Sequence, residues 1–89
     1  MPYVKSNIAR ELDQGATPSN AGELNYAITK LVCRFLLMQP KLNYQAFNDA
    51  MGAIEGAKLE LYRHSIAGYE DNKIHENGDV YPKELGGYN

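Results

Sequence analysis

The sequence has no tryptophan and a single cysteine, and nowhere does it stay apolar for long. The longest near-continuous apolar stretch, from Leu31 to Met38, is interrupted by Arg34 and falls well short of the ~20 residues that a membrane-spanning helix needs. The opening MPYVKSNIARELD lacks the apolar stretch of a secretory signal. Cys33 has no internal disulfide partner; inside an apolar run it reads as a small core residue in a reducing, cytoplasmic setting. Positive charge is not concentrated either. Nine lysines and arginines are scattered from Lys5 to Lys83 against eleven acids, for a net charge of −2. A dedicated nucleic-acid binder gathers its basic residues, so neither a nucleic-acid nor a membrane partner is expected.

What is present is ordinary for a folded chain: 44% apolar and 22% charged residues, which excludes disorder. Eighty-nine residues make one domain. A chain of that size buries only roughly 60–65% of its unfolded surface, and association is a common remedy for the thin stability that results.

Two helical patterns dominate. The first begins at PSNAGELNYAIT, where Asn20 can accept from the amide of Glu23 and Glu23 can reach back, the capping-box arrangement. Leu24, Ala27, Ile28, Leu31, Phe35 and Met38 then recur at three- and four-residue steps, and Pro40 stops the helix. This predicts helix 2 over about 20–39. The second pattern starts after Asn43, another good cap. Its first stripe is Phe47, Ala50, Met51, Ile54, Ala57 and Leu61; a later one is Leu59, Tyr62, Ile66 and Tyr69. The short KLN connection makes the two helices antiparallel neighbours. Phe35 is then expected opposite Phe47, Leu31 opposite Met51 and Ile28 opposite Ile54, with Arg34 near Asp49 for an ion pair. The same register sets Tyr26 opposite Gly56 and Lys30 opposite Gly52. Each mid-helix glycine costs ~1 kcal/mol relative to alanine, which close packing of the Tyr26 ring on a bare backbone at Gly52 and Gly56 would offset. Upstream, Val4, Ile8 and Leu12 lie on one side of a short helix over about 4–13, with Ser6 or Asn7 as alternative caps of a single turn. QGATPS reads as a loop.

The stretch YEDNKIHENGDVY (69–81) admits two readings. Asn77-Gly78 can form a two-residue hairpin turn, placing Glu76 opposite Asp79. Alternatively the helix continues to Glu76, and Gly78 supplies the positive-φ residue that closes it after Asn77. Opposed acids would repel in the hairpin, an isolated hairpin is marginal in water, and Glu70–Lys73 has helical spacing. The balance favours a helix over about 43–76 and a tail over 77–89. Such a helix is about 50 Å long against about 30 Å for helix 2. Its far half, with Tyr62, Arg63, Ile66, Tyr69 and Ile74, therefore outreaches its neighbour and offers an interaction surface. Helix 2 also bears Val32, Cys33, Leu36 and Leu37 outside the seam, and helices apolar nearly all round are buried all round. A homo-oligomer is expected.

Catalytic patterns are thin. Glu60 and His64 can share a helical turn, and with Glu55 they would be the makings of a metal-dependent hydrolase, but two ligands in no recognisable pattern do not make a site. Neither metal nor cofactor is expected, and Gly52 and Gly56, lying mid-helix, form no phosphate loop. Tyr62, Arg63 and Tyr69 can line a cleft between subunits that clamps a small nucleotide-like ligand, although the acids nearby disfavour an anion.

GELNYAIT (22–29), AKLELYR (57–63) and YEDNKIHENGDVY together resemble a small family of uncharacterised phage and bacterial proteins, a domain of unknown function. The resemblance implies a phage or phage-derived source, the host cytoplasm as the location, and host proteins as partners by analogy with other small phage proteins. It carries no activity or site residue. The expected protein is thus all-α: a short N-terminal helix, an antiparallel helical hairpin with a long second arm and an extended C-terminal tail, acting as a non-enzymatic oligomeric binding or assembly module.

Overall fold

Asparagine side chains start both long helices. In the computed structural model, which describes residues 2–87, the order is α1 (Ser6–Asp13), α2 (Ala21–Leu37), α3 (Tyr44–Leu61), a π-helical turn (Tyr62–Ile66), α4 (Ala67–Asn77) and a 3-10 turn (Lys83–Leu85). No strand forms among the described residues, so the chain is all-α and the hairpin reading of Asn77-Gly78 is not the one adopted. The long second arm is helical without a break from Tyr44 to Asn77. The last two residues of the expected tail, 88 and 89, lie outside the described residues. Two compact units divide inside α3, one ending at Met51 and the other beginning at Gly52.

In the first unit, α1 packs against α2, with Val4, Ile8 and Leu12 half-buried. Neither Ser6 nor Asn7 caps it; the Ala9 amide closes the first turn on the Lys5 carbonyl at 2.9 Å. Its far end is a Schellman closure that composition alone reads as loop: Ala16 N–H donates to Glu11 O at 3.0 Å, Gly15 N–H to Leu12 O at 3.0 Å, and Gly15 takes φ +98°. At the start of α2, Asn20 Oδ1 accepts from Glu23 N–H at 2.9 Å. The Glu23 carboxylate reaches back to the amide and hydroxyl of Ser19, both at 3.0 Å, one residue before the amide a standard capping box would use. At α3, Asn43 Oδ1 accepts from Ala46 N–H at 3.0 Å.

The expected seam is not what this unit buries. Phe35 and Phe47 stay 40% and 48% exposed, Leu31 and Met51 59% and 67%, and the buried residues among those described are Ala46 and Ala50, one helical turn apart. Small side chains are covered more readily than large ones by the limited chain available. Arg34–Asp49 is not among the ion pairs of the described residues; Asp49 accepts from Gln45 Nε2 at 2.7 Å instead, a local i,i+4 partner that needs no tertiary register. Cys33 is exposed rather than a core residue. A Cβ at Gly52 or Gly56 would meet nothing within 4 Å. Tyr26 is occupied locally, its hydroxyl donating to Asp13 Oδ1 at 2.8 Å while the Lys30 ammonium lies 5.9 Å from its ring centre.

In the second unit, Ala67 N–H donates to Tyr62 O, five residues back, which defines the π turn. α4 ends at Asn77, one residue beyond the expected 76, and is followed by a positive-φ Gly78, whose N–H donates to Ile74 O at 2.8 Å. The expected left-handed closure is replaced by φ +86°, ψ 158°, an extended conformation open only to glycine, so the chain leaves the helix directly as tail. Asp79 Oδ1 accepts from Tyr81 N–H at 2.9 Å, and Gly87 N–H donates to Pro82 O at 2.9 Å, bending the tail over a 3-10 turn.

Candidate binding groove

A groove of about 460 Å³ lies between α4 and the tail of the second unit. The helical wall is Tyr62, Ala67, Glu70, Asp71, Lys73, Ile74 and Asn77; the tail supplies Gly78, Asp79, Val80 and Tyr81. The π turn is what sets Tyr62 in that wall. In an uninterrupted α-helix, residues eight apart sit about 80° out of line. One extra residue in the turn takes back about 100°, leaving Tyr62 and Glu70 nearly aligned. Tyr62 Oη accordingly donates to Glu70 Oε1. From Ala67 onward the wall resumes ordinary three- and four-residue steps.

Electrostatics follow from the lining. Glu70, Asp71 and Asp79 contribute three acids against Lys73, whose ammonium pairs with Glu76 at 3.4 Å and sits 5.6 Å from the Tyr69 ring centre. The helical pair expected between Glu70 and Lys73 thus forms one step further on. The hydrogen bond to Glu70, and then the negative charge of Glu70 and Asp71, push the Tyr62 phenol above its ordinary value of 10.0. In the first unit the Tyr26 phenol is raised for the same reason by Asp13.

The residues singled out from the sequence divide accordingly. Tyr62, Ile74, Asn77 and Gly78 meet at the groove; Arg63, Ile66 and Tyr69 do not line it. The π turn is the reason, since it rotates Tyr69 off the line of Tyr62 that the uninterrupted stripe required. Arg63 is forked onto Glu60, with Nε and Nη2 each 3.0 Å from a carboxylate oxygen. That contact holds the Glu60 carboxyl below its ordinary value. Glu55 pairs with Lys58 at 3.5 Å. Among the described residues no three His, Cys, Asp or Glu side chains stand close enough to share a metal ion, so Glu55, Glu60 and His64 do not form the cluster that a metal site requires. Nor is any described helix long and apolar enough to cross a membrane. Glu70, Asp71, Asp79 and Tyr81 were not singled out from the sequence as one site. The available signal was an Asp two residues before Tyr81, directly after a glycine helix stop, which favours a local turn.

A family model described as Domain of unknown function (DUF6899) matches residues 1–80, and the chain belongs to that family. No curated protein and no solved structure matches it. The matched segment includes every groove residue but Tyr81.

Proposed function

We propose that this member of the DUF6899 family is a non-enzymatic assembly module whose apolar helix faces are covered by further copies of the same chain. The observation that carries this reading is how little the chain buries alone. Among the described residues the buried ones are Ala46 and Ala50, while Leu24, Ile28, Leu31, Phe35, Leu37 and Met38 of α2 and the residue after it are all exposed. Ile66 and Tyr69, exposed and outside the groove, extend the apolar area available to a second copy in the other unit. The motif resemblance supports a phage or phage-derived source for such a module.

Sedimentation equilibrium over a hundredfold range of protein concentration tests the reading. A species of at least twice the 10.0 kDa chain mass is expected, dissociating only on dilution. A monomer throughout, up to about 100 μM, would remove the basis for it. The nucleotide-clamp alternative has less support: the groove beside Tyr62 is lined by Glu70, Asp71 and Asp79.

A further inference from the structure

We infer, on the assembly reading above, that two copies meet along α2 in an antiparallel, two-fold seam centred between Ile28 and Leu31. The helix carries two stripes. Asn25, Thr29, Val32 and Leu36 form a half-buried one, covered by the chain itself. Leu24, Ile28, Leu31 and Phe35 form an exposed one, prolonged by Ala21 at its start and by Met38 just past its end. The steps of the exposed stripe alternate between three and four residues, the spacing of a seam between paired helices. They also read the same from either end. A second copy given a half-turn about an axis between Ile28 and Leu31 therefore presents a matching surface, the self-complementarity that a two-fold contact requires.

Volume and charge set the direction. Run antiparallel, the stripe sets Ile28 against the partner's Leu31, Leu24 against the partner's Phe35 and Ala21 against the partner's Met38. The outer layers then pair a smaller side chain with a larger one, which fills the space evenly. Run parallel, each residue meets its own kind, so that paired alanines leave a void at one end while paired phenylalanines crowd the other. Charge sorts the same way. Glu23 lies in the first turn of α2 and Arg34 in the last. Eleven residues apart, they lie within about 20° of each other around the helix, on one flank of the stripe. In the antiparallel pair Glu23 and the partner's Arg34 are offset by about 3 Å along the axis, and the two-fold repeats the contact. A parallel pair puts Glu23 level with Glu23 and Arg34 level with Arg34, and brings no opposite charges together. Lys30, with its ammonium 5.9 Å from the ring centre of its own Tyr26, is turned away from the seam.

The test is cross-linking of single-cysteine chains in a Cys33→Ser background, with a bismaleimide too short to span three helical turns. Leu24→Cys mixed with Phe35→Cys is expected to give a covalent dimer, because the two positions face each other. Either variant alone should give at most a tenth of that yield, since each position stands about 16 Å along the axis from its counterpart. A dimer from one variant alone at the yield of the mixture, or none from a mixture that sedimentation shows to be associated, overturns the antiparallel seam and leaves assembly itself intact. A wild-type chain that sediments as a monomer defeats the assembly reading, and this inference with it. Arg34→Glu keeps the apolar stripe whole and tests the same register where a cysteine substitution prevents association. Its dissociation constant should rise at least threefold, against a change within twofold in Lys58→Glu; equal changes in the two overturn the proposal.

Discussion

Replacing Leu31 by serine separates the assembly reading from ordinary folding. Leu31 is 59% exposed in the single chain, so it contributes little to that chain's own packing. Fully burying a leucine is worth about 1.5–3 kcal/mol, and the fraction still exposed corresponds to about 0.9–1.8 kcal/mol per copy. In a two-fold dimer the substitution occurs on both sides, doubling the loss to about 1.8–3.5 kcal/mol, or about 20- to 400-fold in the dissociation constant. The helix-propensity cost of serine is a few tenths of a kcal/mol per chain, too small to account for such a change. Sedimentation equilibrium of wild type and variant over the same concentrations gives the ratio directly, with far-UV circular dichroism as the check that helix content is kept. Dissociation constants within twofold of each other would refute the argument that α2 is covered by a second copy.

Asn43→Ala removes the acceptor for the Ala46 amide and should cost about 0.5–2 kcal/mol, read as a lower melting temperature at fixed protein concentration. The raised phenols of Tyr26 and Tyr62 make stability fall on the alkaline side: their contribution is intact below the ordinary value of 10.0 and is lost as pH climbs through the higher folded value. Absorbance at 295 nm during an alkaline titration should show the late-ionising fraction shrink in Asp13→Asn and again in Glu70→Gln; unchanged curves would contradict both contacts. Gly87→Ala would set a Cβ against the Tyr81 carbonyl oxygen, a backbone atom that cannot swing aside. The tail must then refold, and tryptic cleavage after Lys83 should quicken several-fold without loss of helix signal.

Local chemistry was legible in the sequence where neighbours decide the outcome. Asn20, Asn43 and Gly78 act where the side chain or backbone freedom they offer is used within four residues, and these three positions mark the ends of the long helices. Gly15 was equally readable, a glycine just past the last polar turn of α1, but the surrounding QGATPS masked it as loop. The π turn left no such signature. An extra residue in a helix changes no side-chain type, only the direction of those beyond it, so the evenly spaced stripe Tyr62, Ile66, Tyr69 was read as one face. The seam was misread for a different reason. Matching large apolar residues across a turn assumes that the chain covers them itself, whereas here Ala46 and Ala50 are covered and the larger residues beside them stay open.

That difference bears on how the second unit is held. Its ion pairs, Glu55–Lys58, Glu60–Arg63 and Lys73–Glu76, all join residues three apart along one helical stretch and are well exposed. Pairs of that kind contribute about 0.2–0.5 kcal/mol each and bind the helix to itself, not to the tail. At the helix end Gly78 N–H donates to Ile74 O, and within the tail Tyr81 N–H donates to Asp79 Oδ1. Assembly through α2 responds to protein concentration: a melting temperature that rises with protein concentration is expected, and one that stays level over a hundredfold range would count against a second copy covering that face.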